Sequence, residues 1–257
     1  MNRFVLVIVF VFAGCSTSDS PQAFLLMGQS NMVGSGRTDS LAAADTTLTA
    51  NVTYFRNTEA IKPWDIPRFG PELTLAQDLG ATMPGTELRF IKHAIGGTSL
   101  LDWAPEWDST RAAITGNQHV GPMYQHAMAI VDTLQAASEV AAIFWMQGER
   151  DARIPEAGVD YFVNLEHLIA SLRRDLGNPD IPFIMGRVNA PAERYPALKD
   201  VRDAQFRAAE VMRNVVLVDT DNLTKLPDNL HYDTGGVMEM GSLFATAYLD
   251  WRKENHR

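Results

Sequence analysis

The chain has 257 residues, 46% of them apolar and 21% charged, with a formal net charge of −9. That length is enough for a sizeable core, and the composition is that of a soluble globular protein. The acidic balance argues against a nucleic-acid partner, which needs a basic face to displace counterions, and points instead to a neutral substrate.

At the N-terminus Arg3 precedes an unbroken apolar run, 4–13, that ends at Ala13-Gly14-Cys15-Ser16. The run is too short to span a bilayer but suits the hydrophobic region of a signal peptide. The small residues before Cys15 resemble a bacterial lipobox, although Phe12 stands where leucine is usual. That resemblance implies cleavage before Cys15, lipid attachment to it, and export to a membrane-anchored position facing the periplasm or the cell surface. The expected division is a signal peptide over 1–14, a tether over 15–22 and one domain over 23–257. Cys15 is the only cysteine, so no intramolecular disulfide can form.

Strands are expected over 23–27, 52–55, 88–94, 140–146, 182–188 and 215–219. Helical patterns cover 72–83, 122–137, 158–176, 197–213 and 235–251. Most strand segments are continuously apolar, as in a parallel sheet covered on both faces. Their alternation with helices predicts one α/β domain. In such a sheet ligands bind beyond the carboxyl ends of the strands. That rule singles out 28–32, 95–101, 147–151 and the loop before the last helix.

Ser30 lies in Gly28-Gln29-Ser30-Asn31-Met32, just past the first strand. Met32 stands where the nucleophile elbow of α/β-hydrolases has its second glycine, so that elbow is not matched. A nucleophilic serine needs a base, and the base needs a group that fixes its tautomer. Of the six histidines only His231 has an acid three residues before it, Asp228. In a tight turn Asp228 would accept from Nδ1 and leave Nε2 facing the serine. His119, in a loop, is the rival base. An oxyanion needs fixed donors: the Ser30 N–H, a glycine N–H from Gly96-Gly97, and the Gln147 carboxamide supply the right types. No His or Cys sits at ligand spacing beside Glu149 and Asp151, so these read as loop-fixing carboxylates and not as a metal site.

Gly28–Met32, Gly96-Gly97-Thr98-Ser99, Gln147-Gly148-Glu149-x-Asp151 and Asp228-x-x-His231 together resemble the SGNH hydrolases. More narrowly, they resemble carbohydrate esterase family six and the sialate O-acetylesterase-like proteins, over about 23–251. Gly70-Pro71-Glu72 and Val201-Arg202-Asp203-Ala204-Gln205 add to the match. The resemblance implies a flavodoxin-like α/β/α sandwich with a central parallel sheet of about five strands, and metal-independent, cofactor-free ester hydrolysis. Ser30 matches the nucleophile, His231 the base and Asp228 its orienting acid. Gly97, with Gly96 competing, and Gln147 match the oxyanion-hole positions. The expected substrates are O-acetyl groups on sugars, either xylan-type polysaccharides or sialic acid, with Trp103 and Glu149 as substrate contacts. Membrane association would run only through the lipid anchor, and the sequence leaves the oligomeric state open. Two alternatives stay open: an SGNH lipase, arylesterase or thioesterase, and a non-catalytic glycan-binding surface lipoprotein.

Overall fold

The computed structural model describes residues 19–255. The expected signal peptide and Cys15 lie outside the described residues. Nine strands follow in chain order: β1 Asp19–Gly28, β2 Gly36–Arg37, β3 Val52–Arg56, β4 Glu59–Ile61 and β5 Arg68–Phe69, then β6 Thr86–Ala94, β7 Val140–Met146, β8 Phe183–Gly186 and β9 Val215–Val218. Seven of them form one sheet in the order β4-β3-β6-β1-β7-β8-β9, while β2 and β5 make a separate antiparallel pair.

All six expected strands enter the large sheet and run parallel to one another. The five strands β6-β1-β7-β8-β9 reproduce the flavodoxin order 2-1-3-4-5. Beyond β6 the sheet is longer than expected. The chain folds back from β3 to β4 through the two-residue turn Asn57-Thr58, with Asn57 at φ 56°, and β4 pairs antiparallel. Asparagine tolerates that left-handed conformation, but a three-residue strand carries no periodicity to read. The expected helix over 158–176 is two helices, Pro155–Val159 and Tyr161–Asp175. Pro155 opens the first of them, where its missing N–H costs nothing.

Alternation along β1 sends Ala23, Leu25 and Met27 to one face of the sheet and Phe24 and Leu26 to the other. The first set packs under helices Met123–Thr133, Tyr161–Asp175 and Leu198–Val211. The second packs under Glu72–Thr82 and Thr234–Asn255, where Phe24 stacks on Phe90 with ring centroids 5.0 Å apart. Each such fully buried aromatic contributes roughly 1.5–3 kcal/mol relative to exposure. Both faces are therefore covered, and the layers are α/β/α.

This topology fixes where chemistry occurs. After β1 the chain builds β3 and β6 on one side, and after β6 it crosses to β7 on the other. Connections diverge above the carboxyl end of β1, and the crevice opens there.

Candidate active site

Ser30 begins a one-turn helix, Ser30–Val33, directly beyond β1. The strand can come this close to β7 only because Gly28 lacks a Cβ: one added there would lie 2.1 Å from the Met146 carbonyl oxygen, and φ is 143°. The Gln29 N–H then donates to that carbonyl at 2.9 Å, clamping the turn.

The loop between β9 and the last helix brings His231, the expected base, to Ser30. Asp228 Oδ1 accepts from the backbone N–H of Leu230 (2.9 Å) and His231 (3.0 Å), closing a turn with Asn229 at φ 56°. Asp228 Oδ2 lies 2.7 Å from His231 Nδ1, and His231 Nε2 lies 3.1 Å from Ser30 Oγ. A carboxylate can only accept, so Nδ1 carries the proton and Nε2 is left to take the serine proton. Burial pushes the Asp228 carboxyl up, but the His231 bond and the two backbone N–H groups outweigh it and hold it below its ordinary value. The rival His119 is exposed and lines neither part of the cavity at Ser30.

Asn31, the residue after Ser30, ties these parts together. Its Nδ2 donates to Glu149 Oε1 (2.5 Å) and to the Leu230 carbonyl (3.2 Å), while Oδ1 accepts from Tyr232 N (3.4 Å). One buried amide thus spans the serine turn, the 147–151 block and the histidine loop. Glu149 lines the cavity beside Ser30, its Oε2 has no hydrogen-bond partner among the described residues, and burial pushes its carboxyl up. On the other flank Lys92 Nζ reaches the Val33 carbonyl (2.8 Å) and Glu72 Oε2 (2.6 Å), and Glu72 Oε1 accepts from Gly70 N (2.9 Å). Gly70-Pro71-Glu72 therefore braces the end of the serine turn. Arg202 and Gln205 do the same for the segment after β8, on the Val188 carbonyl (3.0 Å) and Val188 N–H (2.9 Å).

Two expected site residues do not reach the cavity. Trp103 is fully buried, donates from Nε1 to Thr98 Oγ1 (3.1 Å) and packs edge-on against Trp145. It belongs to the core, so it cannot stack on a substrate. Gln147 is also fully buried, and its Nε2 donates to the Thr98 carbonyl (3.0 Å) and Asp151 Oδ2 (2.5 Å). Gln29 Oε1, at 3.3 Å, is a third acceptor beside the same nitrogen, more than its two N–H groups can fully satisfy. Gln147 therefore braces the glycine loop and does not serve an oxyanion. Asp151, whose carboxyl burial pushes up to about 7, holds the Leu100 N–H at 3.0 and 3.1 Å. Gly96 and Gly97 both line the cavity at Ser30; Gly97 has φ 75°, and its carbonyl is held by Asn117 Nδ2 at 2.8 Å.

Against known proteins, the sequence model of the family described as carbohydrate esterase, sialic acid-specific acetylesterase matches residues 20–250. The chain belongs to this family. A probable carbohydrate esterase of Arabidopsis thaliana is 26% identical over 253 residues, covering 89% of this chain and 90% of the plant protein. The X-ray structure of that plant protein superposes with a TM-score of 0.73 at 23% identity, over 89% of this chain and 98% of the other. A carbohydrate acetylesterase from Xanthomonas citri gives 0.69 at 18% identity, over 88% of this chain and 55% of that one.

In this carbohydrate esterase the cavity divides at Ser30, Gly96 and His231 into two lobes. The larger, about 650 Å³, is walled by Arg56, Asn57, Arg68, Lys92 and Asp228. The smaller, about 310 Å³, is walled by Gln29, Gly97, Glu149, Arg150, Arg153 and Tyr195. The Arg56 and Arg68 side chains are exposed, and their guanidinium groups have no hydrogen-bond or ion-pair partner among the described residues. The chain is acidic as a whole, but this wall is basic.

Proposed function

We propose that this acetylesterase works through a serine acyl-enzyme and removes O-acetyl groups from acidic sugars. The observation that carries the mechanism is the continuous Ser30–His231–Asp228 relay at 3.1 and 2.7 Å. His231 Nε2 takes the Oγ proton as Ser30 attacks the acetyl carbonyl carbon. The tetrahedral intermediate collapses when the carbon–oxygen bond to the sugar breaks and His231 gives its proton to the leaving oxygen. Water, deprotonated by His231, then attacks the acetyl-serine, acetate departs, and the proton returns to Ser30 Oγ.

The choice of an acidic sugar rests on Arg56 and Arg68. Two guanidinium groups without acidic partners at a cavity mouth attract and orient a carboxylate, as a sialic acid or a uronic acid would supply. The family description points the same way. The neutral substrate inferred from net charge ignores this local distribution. The smaller lobe, about 310 Å³, sets Tyr195 and Leu230 beside Gln29, Glu149, Arg150 and Arg153, and this compact, partly charged wall favours acetyl over the lipase reading. The apolar run 4–13 and Cys15 support export and lipid attachment as part of the same proposal.

The decisive experiment uses a chromogenic acetate ester and a serine-reactive phosphonate. Labelling that maps to Ser30, with acetate release abolished in Ser30→Ala at unchanged Tm, is the expected result. Near-wild-type turnover in that variant would overturn the mechanism. Acetate release from acetylated sialosides in preference to acetyl-xylan is the expected substrate order, and the reverse order would overturn the acidic-sugar reading.

A further inference from the structure

The larger lobe does not end at Arg68. Ile66, Pro67 and Arg68 wall it and also wall a second hollow of about 390 Å³, whose far side is Trp64 and Asp65. Trp64 and Asp65 in turn wall a third hollow of about 550 Å³, bordered by Lys62, Thr46 and Thr47. The segment 64–68 is thus a shared wall that joins Ser30, in steps, to Trp64. That wall is held firmly. Pro63–Asp65 is a single helical turn opened by the buried Pro63, in which Asp65 Oδ2 accepts from the Lys62 N–H (2.9 Å) and the Asp65 N–H donates to the Lys62 carbonyl (3.0 Å). Thr38 holds the next two residues, donating from Oγ1 to the Ile66 carbonyl (2.5 Å) and from N to the Pro67 carbonyl (3.2 Å). Across the third hollow Gln77 Nε2 pins the Asp45 and Thr47 carbonyls (2.7 and 3.0 Å).

Trp64 is half-buried: part of it packs against the core on the Phe24 side of the sheet, and the rest lines the two outer hollows. Lys62 Nζ stands 5.8 Å from its ring centroid, the outer limit of a cation–π contact, and has no hydrogen-bond or ion-pair partner among the described residues. Thr46 and Thr47 spend their hydroxyl protons on the Ala43 and Ala44 carbonyls (2.9 and 3.1 Å), which leaves their oxygens able to accept. An indole face, an ammonium donor and hydroxyl acceptors around one hollow match a sugar ring, which offers an apolar C–H face and a rim of hydroxyls. Resting on the carbohydrate-ester reading above, we propose that Trp64 is the platform of a second sugar subsite, so that the acetylated sugar is taken as one unit of a longer glycan. The acetylated ring lies between Ser30 and Arg68, and a further ring of the same chain stacks on Trp64 with Lys62 and the two threonines at its rim. The shared 66–68 wall is the path between them. If Trp64 only closed the edge of the core, its loss would affect stability and not depend on the length of the substrate.

The test measures KM, per acetyl group, on two matched pairs of substrates: O-acetylated sialic acid as monomer and hexamer, and O-acetylated xylose as monomer and hexamer. In the pair that is hydrolysed, wild-type KM should be about tenfold or more lower for the hexamer, the gain from covering one indole face. Trp64→Leu keeps apolar packing but removes the flat ring, and should bring the monomer-to-hexamer KM ratio to within about twofold of one. Each variant is compared with itself on the two lengths, so a general loss of activity cancels. Thr47→Trp, at an exposed rim position, fills the outer hollow without touching the core and should abolish the ratio in the same way. It is read alone if Trp64→Leu does not fold. Equal KM for monomer and hexamer in wild type overturns the proposal, as does a length gain that survives in the folded variants. Failure of the underlying readings looks different. Hydrolysis of the xylose pair alone overturns the acidic sugar and leaves Trp64 to be judged on that pair. Hydrolysis of p-nitrophenyl acetate but of neither pair overturns both the carbohydrate reading and this subsite.

Discussion

The two sides of Ser30 are built on different terms. Towards residues 147–151 most polar groups are buried and spent: Asn31 on Glu149 and Leu230, Gln147 on Thr98 and Asp151, Asp151 on Leu100. Towards residues 56–68 the cavity wall carries exposed side chains from the end of β3, the turn after it and β5, and the guanidinium groups of its two arginines have no partner among the described residues. A catalytic group must be held to a fraction of an ångström, which buried, satisfied hydrogen bonds achieve. A recognition surface must stay free to pair with what arrives. On the proposed mechanism, the difference separates the part of the site that sets turnover from the part that selects the substrate.

The comparison can be broken first at its hinge. His231→Ala should lower kcat by about 10⁴-fold or more, read with p-nitrophenyl acetate, while His119→Ala should stay within about twofold because His119 touches neither lobe. A larger loss in His119→Ala would mean the wrong base. Next comes the braced side. Asn31→Ala leaves the buried Glu149 carboxyl without its donor and unties the histidine loop. It should lower kcat about 10²-fold and cost about 1–3 kcal/mol of stability, measured by urea unfolding. Unchanged kcat would show that the brace is not needed for alignment.

The open side should respond in KM alone. Arg56→Ala with Arg68→Ala should raise KM for an acetylated acidic sugar roughly 10- to 100-fold, the loss of one or two charge-assisted contacts. It should leave p-nitrophenyl acetate turnover unchanged, and a fall in kcat for both esters would erase the distinction between the two sides. The smallest effect concerns His93, which bonds Asn57 at the edge of the larger lobe (Nδ1 to Oδ1, 2.9 Å). Burial first, and His126 second, hold its pKa at about 4, below the ordinary 6.5. Its stability contribution is intact above pH 6.5. Between there and about 4 the unfolded chain gains a proton that the fold refuses, so stability falls. His93→Gln should therefore shrink the acid-induced drop in Tm across that window, and an unaltered drop would place the sensitivity elsewhere.

Much of this was legible in the chain. The alternation of apolar runs with helical patterns fixed the α/β class, because a strand buried on both faces has no polar positions to spare. Asp228 and His231, three residues apart, fall into a turn whose backbone N–H groups Asp228 itself caps, so their contact is almost a local property. Ser30 was readable from its place just past β1. Trp103 and Gln147 were misplaced for a common reason: a side chain's type states what it can bond, and only packing decides what it does bond.

Sequence by itself therefore determined the parallel sheet, the end of it that carries chemistry, and the serine, histidine and aspartate of the relay. These depend on local periodicity and on bonds between near neighbours. The tertiary structure decided that Gln147 is spent in the interior and not at the cavity, and which wall carries guanidinium groups without a partner among the described residues. Those outcomes depend on which groups from distant strands compete for the same donors and acceptors. That competition exists only once the sheet has brought them together.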